Sequence, residues 1–281
     1  MVEGHRFYLV DAFTDRMFAG NPACVLLGFK PLEDNIMQMI AREFNLSETA
    51  FPVPYDNTGF ETSDHFHLRW FSPVVEVPLC GHATLAAAHT LYSELENASP
   101  SLTFTTLSGN LIVSRRDNCY VMDFPSGKAT QINFDSEILL ALRLQGESVK
   151  NMMYCPSPNK LLIEIDDDKS IRTLSPDFLE LTHLSQKYNV GSIVVTAMST
   201  SSDYDFVSRN FAPIRGVNED PVTGSAHVIL GPYWQEKLGK DKLRAYQASN
   251  RGGFMNIEVK ESGRVSLIGM ACTIAEGNLR V

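Results

Sequence analysis

Two glycine-containing turns carry the side chains that are best suited to chemistry in this sequence. They are Pro78-Leu79-Cys80-Gly81-His82-Ala83-Thr84 and Asp220-Pro221-Val222-Thr223-Gly224-Ser225-Ala226, each leading into a helix-like run. A helix start exposes unpaired backbone N–H groups and a partial positive charge, and glycine lets a ligand approach the backbone. Gly81, Gly224 and Ser225 are therefore predicted to hold a small anion, in particular a carboxylate. The alternative is that both turns only begin helices.

Three side chains at or near these turns are candidates for moving a proton. His82 lies at a helix start, which disfavours the imidazolium form, so we expect a neutral ring. Glu48 lies between a predicted buried helix and an apolar strand. Burial there would raise the pKa of its carboxyl group, as proton transfer near neutral pH requires. Asp220 is either a further acid/base group or a residue that orients the second turn. For each carboxylate the alternative is a solvated or capping role.

Other chemistries have weaker support in the sequence. Ser225 lacks the G-x-S-x-G turn of serine hydrolases. Cys80 could act as a thiol base, but the matching position of the second turn is Thr223, so a pair of facing thiols is not formed. No H-E-x-x-H spacing, phosphate-binding loop or dinucleotide fingerprint occurs, so neither a metal nor a cofactor is predicted.

The two turns belong to a longer repeat. Arg69-Trp70-Phe71-Ser72-Pro73 precedes the first turn, and Arg209-Asn210-Phe211-Ala212-Pro213 precedes the second, half a chain length later. Short strand-like segments follow each turn and its helix. The sequence therefore predicts a duplicated α+β unit, residues 1–126 and 127–281, with the two helix starts converging on one cleft.

The predicted elements place the candidate residues at helix and strand ends. A helix over 34–45 is followed by the connection Leu46-Ser47-Glu48-Thr49 and then by an apolar strand. The helices that follow the two turns are predicted over 83–95 and 226–238. Pro232 is expected to kink or break the second of these helices, because proline lacks the N–H that a helix interior needs.

Composition sets the general class of the protein. The chain has 281 residues, a hydrophobic fraction of 44% and a formal net charge of −9. These values are typical of a soluble globular protein and argue against a nucleic-acid partner, which needs a basic surface. No apolar run is long enough for a membrane span. The five scattered cysteines favour reduced thiols and a cytoplasmic location.

Four segments together resemble the PhzF-like (phenazine biosynthesis-like) family, particularly its animal members. They are Asp11-Ala12-Phe13-Thr14 with Gly20-Asn21-Pro22, Asn45-Leu46-Ser47-Glu48-Thr49, and the two turns described above. The resemblance implies a diaminopimelate-epimerase-like fold of two pseudo-symmetric halves, each a β-barrel around a central helix. It also implies a site in the cleft between the halves, and a homodimer.

The resemblance also implies roles for individual residues. Glu48 matches the glutamate that shuttles a proton between carbons in the phenazine enzyme, an isomerase. His82, Asp220, Gly224 and Ser225 match residues that assist binding or proton transfer, and Asn21 is assigned to substrate binding. Cys80 departs from the family pattern, since the phenazine enzyme has a small non-thiol residue there.

The sequence therefore predicts a cofactor-independent isomerase that moves a proton on a small carboxylate-bearing molecule. Glu48, His82 and Asp220 are its predicted catalytic residues, and Asn21, Gly81, Gly224 and Ser225 bind the substrate. Two alternatives stay open. One is an amino-acid racemase that uses Cys80, and the other is a non-catalytic protein that uses the same fold to bind a protein partner or a metabolite.

Overall fold

The computed structural model describes residues 4–56, 58–133, 135–144 and 148–281. The chain divides into two units, Met1–Phe124 with Ser266–Val281, and Pro125–Val265. This differs from the predicted division into residues 1–126 and 127–281, because the C-terminal segment belongs to the first unit. The physical reason is a long antiparallel pairing between the first and last strands, from Ala12 opposite Ala271 to Gly4 opposite Arg280.

The chain begins with eight strands and two helices: β1 (Gly4–Ala12), β2 (Asn21–Leu26), α1 (Asp34–Phe44), β3 (Glu48–Pro54), β4 (His65–Phe71), β5 (Glu76–Val77), α2 (Gly81–His89), β6 (Ser101–Thr106), β7 (Gly109–Arg116) and β8 (Cys119–Pro125). A π-helical turn, Thr90–Glu94, extends α2, where the sequence predicts α-helix to residue 95.

The chain continues with the elements of the second unit: β9 (Thr130–Gln131), α3 (Ser136–Ala141), β10 (Val149–Cys155), β11 (Lys160–Ile165), α4 (Asp168–Thr173), α5 (Phe178–Tyr188), β12 (Ser192–Met198), β13 (Phe206–Ala212), β14 (Val217–Asp220), α6 (Gly224–Leu238), β15 (Lys242–Gln247) and β16 (Gly253–Lys260). The last two strands are β17 (Arg264–Gly269) and β18 (Ala271–Arg280).

Each unit is built on a mixed sheet with the same order of pairings. In the first unit β1 and β2 are antiparallel, β2 and β3 parallel, β3 and β4 antiparallel, and β4 and β6 parallel. In the second unit the same sequence of pairings joins β10 to β11, β11 to β12, β12 to β13, and β13 to β15. Helices occupy matching connections, α1 and α2 in one unit and α4–α5 and α6 in the other. The predicted duplication and the α+β class are confirmed.

Helix α2 is the centre of the first unit. Every residue from His82 to His89 is buried, so the helix is covered on all sides, as expected for a helix without a polar face. It packs against β1, β2, β3 and β18. The three consecutive alanines at its centre are fully buried, and their small side chains let the surrounding strands approach closely.

Helix α6 continues through Pro232. Of the predicted kink or break, the break is therefore wrong, and the kink stays a prediction. Proline cannot donate to the carbonyl four residues earlier, which belongs to Val228. That carbonyl instead accepts the backbone N–H of Gly127 at 3.0 Å. The polar group left over by proline is therefore satisfied by another segment, and the helix is not interrupted.

The helices of the described residues are all too short or too polar to cross a membrane.

Candidate active site

Three elements of the first unit bring a carboxylate, an imidazole and an amide together. Glu48 begins β3, His82 is the second residue of α2, and Asn21 begins β2. The Nε2 atom of His82 lies 3.2 Å from Oε2 of Glu48, and its Nδ1 atom lies 3.1 Å from Nδ2 of Asn21. The His82 side chain is 5% exposed and that of Glu48 is 20% exposed. A molecule in solvent can therefore reach the carboxylate more easily than the ring behind it.

The contact with Asn21 favours one tautomer of a neutral His82 ring. The amide nitrogen of Asn21 can only donate, so Nδ1 of His82 accepts and the ring proton lies on Nε2. Nε2 then faces Oε2 of the Glu48 carboxylate at 3.2 Å. Asn21, His82 and Glu48 thus form a series in which the amide contacts one ring nitrogen and the carboxylate lies beside the other.

Cys80 completes this cluster and raises the question of a metal. Its Sγ atom is 3.5 Å from Nδ1 of His82. One donor atom each from Glu48, Cys80 and His82 lie within 4.8 Å of one another, and zinc accepts this set of ligand types. We interpret the three side chains as an acid/base cluster, which is the chemistry that the sequence predicts for Glu48 and His82.

The starts of α2 and α6 differ from the starts of α3, α4 and α5. Helices α3, α4 and α5 begin with an aspartate whose side chain accepts backbone N–H groups of the first turn. Among the described residues, no side chain caps α2 or α6 in this way, and neither has an acidic residue in its first turn. Both starts therefore keep the electrostatic character that favours an anionic group.

The start of α6 carries its own hydrogen-bonded cluster. Thr223 Oγ1 donates to Asp220 Oδ2 at 2.5 Å, and the Thr223 N–H donates to Oε1 of the buried Gln247 at 2.8 Å. Gln247 Nε2 returns a hydrogen bond to the Asp220 carbonyl at 2.6 Å. Gly224 is buried and Ser225 half-buried at this turn. Asp220 is thus held by its neighbours in the way that a residue orienting the turn would be.

The arginine that precedes each turn forms an ion pair with a glutamate. Arg69 makes two hydrogen bonds of 2.7 Å to Glu76, and Arg209 makes bonds of 2.7 and 2.8 Å to Glu219. Each guanidinium also lies over the phenylalanine two residues later, at 5.1 and 4.9 Å. The repeated arginines are therefore structural residues that fix the strand leading to each turn.

Two basic side chains are completely buried in the second unit. Lys160 is 1% exposed and donates from Nζ to Ser192 Oγ at 2.7 Å. Burial lowers the pKa of the Lys160 ammonium to about 7, with a contribution from Arg215, while Asp220 opposes the change. Burial likewise lowers the pKa of His227 to about 4, against its hydrogen bond to the Thr223 carbonyl. His227 is therefore neutral at pH 7 and lies in the core of the second unit.

Sequence reasoning identified most but not all of these groups. Glu48 and His82 are in contact and Cys80 lies beside them, whereas the catalytic and binding roles of these residues stay predictions. Asn21, expected to bind substrate, contacts His82. The sequence did not identify Gln247, which bonds to the start of α6, or the buried Lys160. The one available sign of Lys160 was a lysine at the start of an otherwise apolar strand.

The chain is similar to proteins of one family over nearly its whole length. A family model described as phenazine biosynthesis-like protein matches residues 10–277. An uncharacterized isomerase of Halalkalibacterium halodurans is 46% identical over 97% of both chains. The phenazine biosynthesis-like domain-containing protein of Homo sapiens is 41% identical over 97% of this chain and 98% of its own.

Solved structures have the same fold. A PhzF-family phenazine biosynthesis protein from Enterococcus faecalis has a TM-score of 0.89 and 39% identity, covering 99% of this chain and 100% of its own. A hydroxyproline epimerase from Agrobacterium vitis has a TM-score of 0.62, 99% coverage of this chain and 93% of its own. At 10% identity the epimerase shows the fold alone. The predicted family resemblance and epimerase-like fold class are confirmed.

Proposed function

The chain belongs to the phenazine biosynthesis-like protein family, and from this premise we propose that it is an isomerase that moves a proton on a small carboxylate-bearing substrate without a cofactor. The observation that carries the proposal is the series Asn21–His82–Glu48, which holds a partly exposed carboxylate by a 3.2 Å contact to a buried ring. Two relatives named as isomerases support the reaction class.

The proposed reaction uses Glu48 as a single proton carrier. Its carboxylate takes a proton from a carbon of the substrate, which leaves the electron pair on the substrate as an enolate or a related anion. The carboxylic acid then returns the proton to a different carbon, so the substrate is isomerised and Glu48 is regenerated. A group positioned in this way typically accelerates proton transfer by about 10²–10⁴-fold.

The other residues of the cluster position Glu48 and stabilise charge. The Nε2–H group of His82 keeps the carboxylate oriented, and Asn21 keeps that proton on Nε2. The start of α2 at Gly81 favours the substrate carboxylate or the anion that develops during proton transfer. Asp220, Gly224 and Ser225 are the second unit's contribution in this proposal, and the shared cleft and the homodimer stay predictions.

The test is hydrogen exchange during turnover. Small carboxylic acids are incubated with the protein in D₂O, and deuterium incorporation and isomer formation are followed by NMR and mass spectrometry. For an acid that reacts, Glu48→Gln is expected to lose about 10²–10⁴-fold in turnover. Glu43→Gln, an exposed glutamate on α1, is the matched control and should be unaffected. A Glu48→Gln protein that folds normally and retains turnover would refute the proposal.

Cys80 supports a second candidate, a thiol-dependent racemase, because its Sγ atom touches the same ring as Glu48 does. A racemase would incorporate deuterium at a Cα carbon and would lose activity in Cys80→Ser. Under the leading proposal Cys80→Ser keeps most of its turnover, since the serine hydroxyl can still face Nδ1 of His82. Comparing Cys80→Ser with Glu48→Gln therefore separates the thiol-dependent racemase from the Glu48-dependent isomerase.

The non-catalytic alternative makes a different prediction. If the protein only binds a partner, no small acid incorporates deuterium in its presence. A thermal-shift screen would then find stabilisation by a protein partner and none by small acids, since a ligand stabilises only the state that it binds.

A further inference from the structure

A cavity of about 360 Å³ lies in the first unit, between α1 and the strands β3, β4 and β6. Its volume is within the usual range for small-molecule sites. Most of its lining is apolar, and includes Leu26, Met37, Phe51, Val53 and Leu68. Leu107 is also part of the lining and is 67% exposed, so it lies where the cavity meets solvent.

The strands place this cavity on the face of β3 opposite to that of Glu48. Side chains alternate along a strand, so Glu48 points to one face while Phe51 and Val53 point to the other. The register supports this, since Phe51 is paired with Arg69 and Val53 with His67, and all four line the cavity. The cavity is therefore a separate site from the acid/base cluster.

The polar side chains that line the cavity favour an anion. Lys30, His67 and Arg69 contribute to the wall, whereas no carboxylate does so among the described lining residues, in a chain with a net charge of −9. Arg69 is already paired with Glu76 and Asp34. Lys30 forms no ion pair within the described part of the chain and is exposed, so its charge is available to a ligand.

We propose that this cavity binds a small amphipathic monocarboxylate, with its aliphatic body against Phe51 and Val53 and its carboxylate at Lys30. Burial of the aliphatic body in an apolar cavity supplies most of the affinity, at roughly 25 cal/mol for each Å² removed from water. Lys30, which has no ion pair among the described residues, selects one negative charge on the ligand. A cationic amphiphile of the same shape would meet the Lys30 ammonium and be repelled.

The first test compares three amphiphiles by isothermal titration calorimetry on the full chain, below their micelle-forming concentrations. Decanoate is expected to bind, decan-1-ol to bind about threefold to fivefold more weakly for lack of the ion pair, and decyltrimethylammonium to bind more weakly still. Absence of decanoate binding, or equal binding of decanoate and decyltrimethylammonium, would overturn the proposal.

Variants locate the binding. Lys30→Gln should weaken decanoate about threefold to fivefold and leave decan-1-ol unchanged, while the exposed Lys150→Gln should change neither. Val53→Phe fills the cavity and should reduce decanoate binding by at least about tenfold. Leu107→Glu changes an exposed side chain and should weaken decanoate binding through charge repulsion.

A further variant separates this site from the acid/base cluster. Glu48→Gln should bind decanoate as the wild type does, whatever its effect on turnover. Decanoate binding that is lost in Glu48→Gln, or that is unchanged in both Val53→Phe and Leu107→Glu, would show that decanoate binds elsewhere and would refute the assignment.

Discussion

Replacing the buried Lys160 by methionine is expected to stabilise the second unit at pH 7, and this gain is expected to disappear as the pH is raised to 10. In the folded protein burial lowers the pKa of this ammonium from the ordinary 10.5 to about 7. Between these values the unfolded chain holds a proton that the folded chain has lost. Stability therefore rises as the pH is raised from 7 towards 10.5, and the destabilisation by Lys160 reaches its full value only below pH 7.

The size of the effect follows from the two pKa values. At about 1.4 kcal/mol per pH unit, burying the lysine costs about 4 kcal/mol at pH 7 and about 1 kcal/mol at pH 10. Lys160→Met also leaves the Ser192 hydroxyl without its donor, at a cost of about 1–3 kcal/mol that does not depend on pH. The stability gain of the variant over the wild type should therefore be about 3 kcal/mol larger at pH 7 than at pH 10.

Urea unfolding followed by tryptophan fluorescence measures this difference. The chain has two tryptophans, and a Trp70→Phe background leaves Trp234, which is buried in the second unit, as the reporter. Lys150→Met is the matched control, since Lys150 is half-exposed and paired with Asp166 at 2.9 Å. Its stability relative to the wild type should change by less than about 1 kcal/mol between the two pH values. An equal gain for Lys160→Met at pH 7 and pH 10 would refute the reasoning.

Three further predictions concern stability. Arg209→Met should lower the free energy of unfolding by about 3–5 kcal/mol, because it leaves the nearly buried Glu219 uncompensated. Arg69→Met should lower it by only about 1 kcal/mol, because the Arg69 side chain is 30% exposed and that of Arg209 only 9%. Equal losses of the two variants in chemical denaturation would contradict this. Gly127→Ala should cost about 1–3 kcal/mol, because its Cβ would lie 2.7 Å from Ile229 Cγ1, and an unchanged melting temperature would show that the site relaxes freely. His227 has a pKa of about 4 in the folded protein against 6.5 ordinarily, so the wild type should lose about 3 kcal/mol as the pH falls from 6.5 to 4, and His227→Gln should lose less over the same range.

Local patterns were sufficient for the parts of the fold that repeat. The apolar stripe of α1 and the residue at its end, Asn45, gave its bounds closely, because a helix commonly ends at an asparagine in the left-handed conformation, as here. The duplication was visible from the arginine and glycine positions. The membership of β18 in the first unit was not, since its partner β1 lies at the other end of the sequence. Nor could the sequence show that Gly127 satisfies the Val228 carbonyl, on which the continuity of α6 depends.

The sequence indicated which residues belong to the site more readily than it indicated the contacts between them. The connection containing Glu48 and the turn containing His82 stood out in the sequence, and the structure brings them together. The role of Asn21 required knowledge that its amide faces Nδ1 rather than solvent, which depends on the pairing of β2 with β1. Lys160 begins the apolar strand β11. A pattern of apolar residues does not reveal whether such a lysine reaches water or, as here, donates to a buried serine hydroxyl.

The pairing of β1 with β18 has a consequence for synthesis on the ribosome. The whole second unit emerges before β18, so it can complete its sheet while the edge of β1 still awaits its neighbour. An uncovered strand edge is a template for pairing with other chains, and domains begin to fold as they emerge. The β1 edge of the nascent first unit can therefore mispair with other chains until the residues up to β18 have been translated. Pairing with β18 then covers this edge.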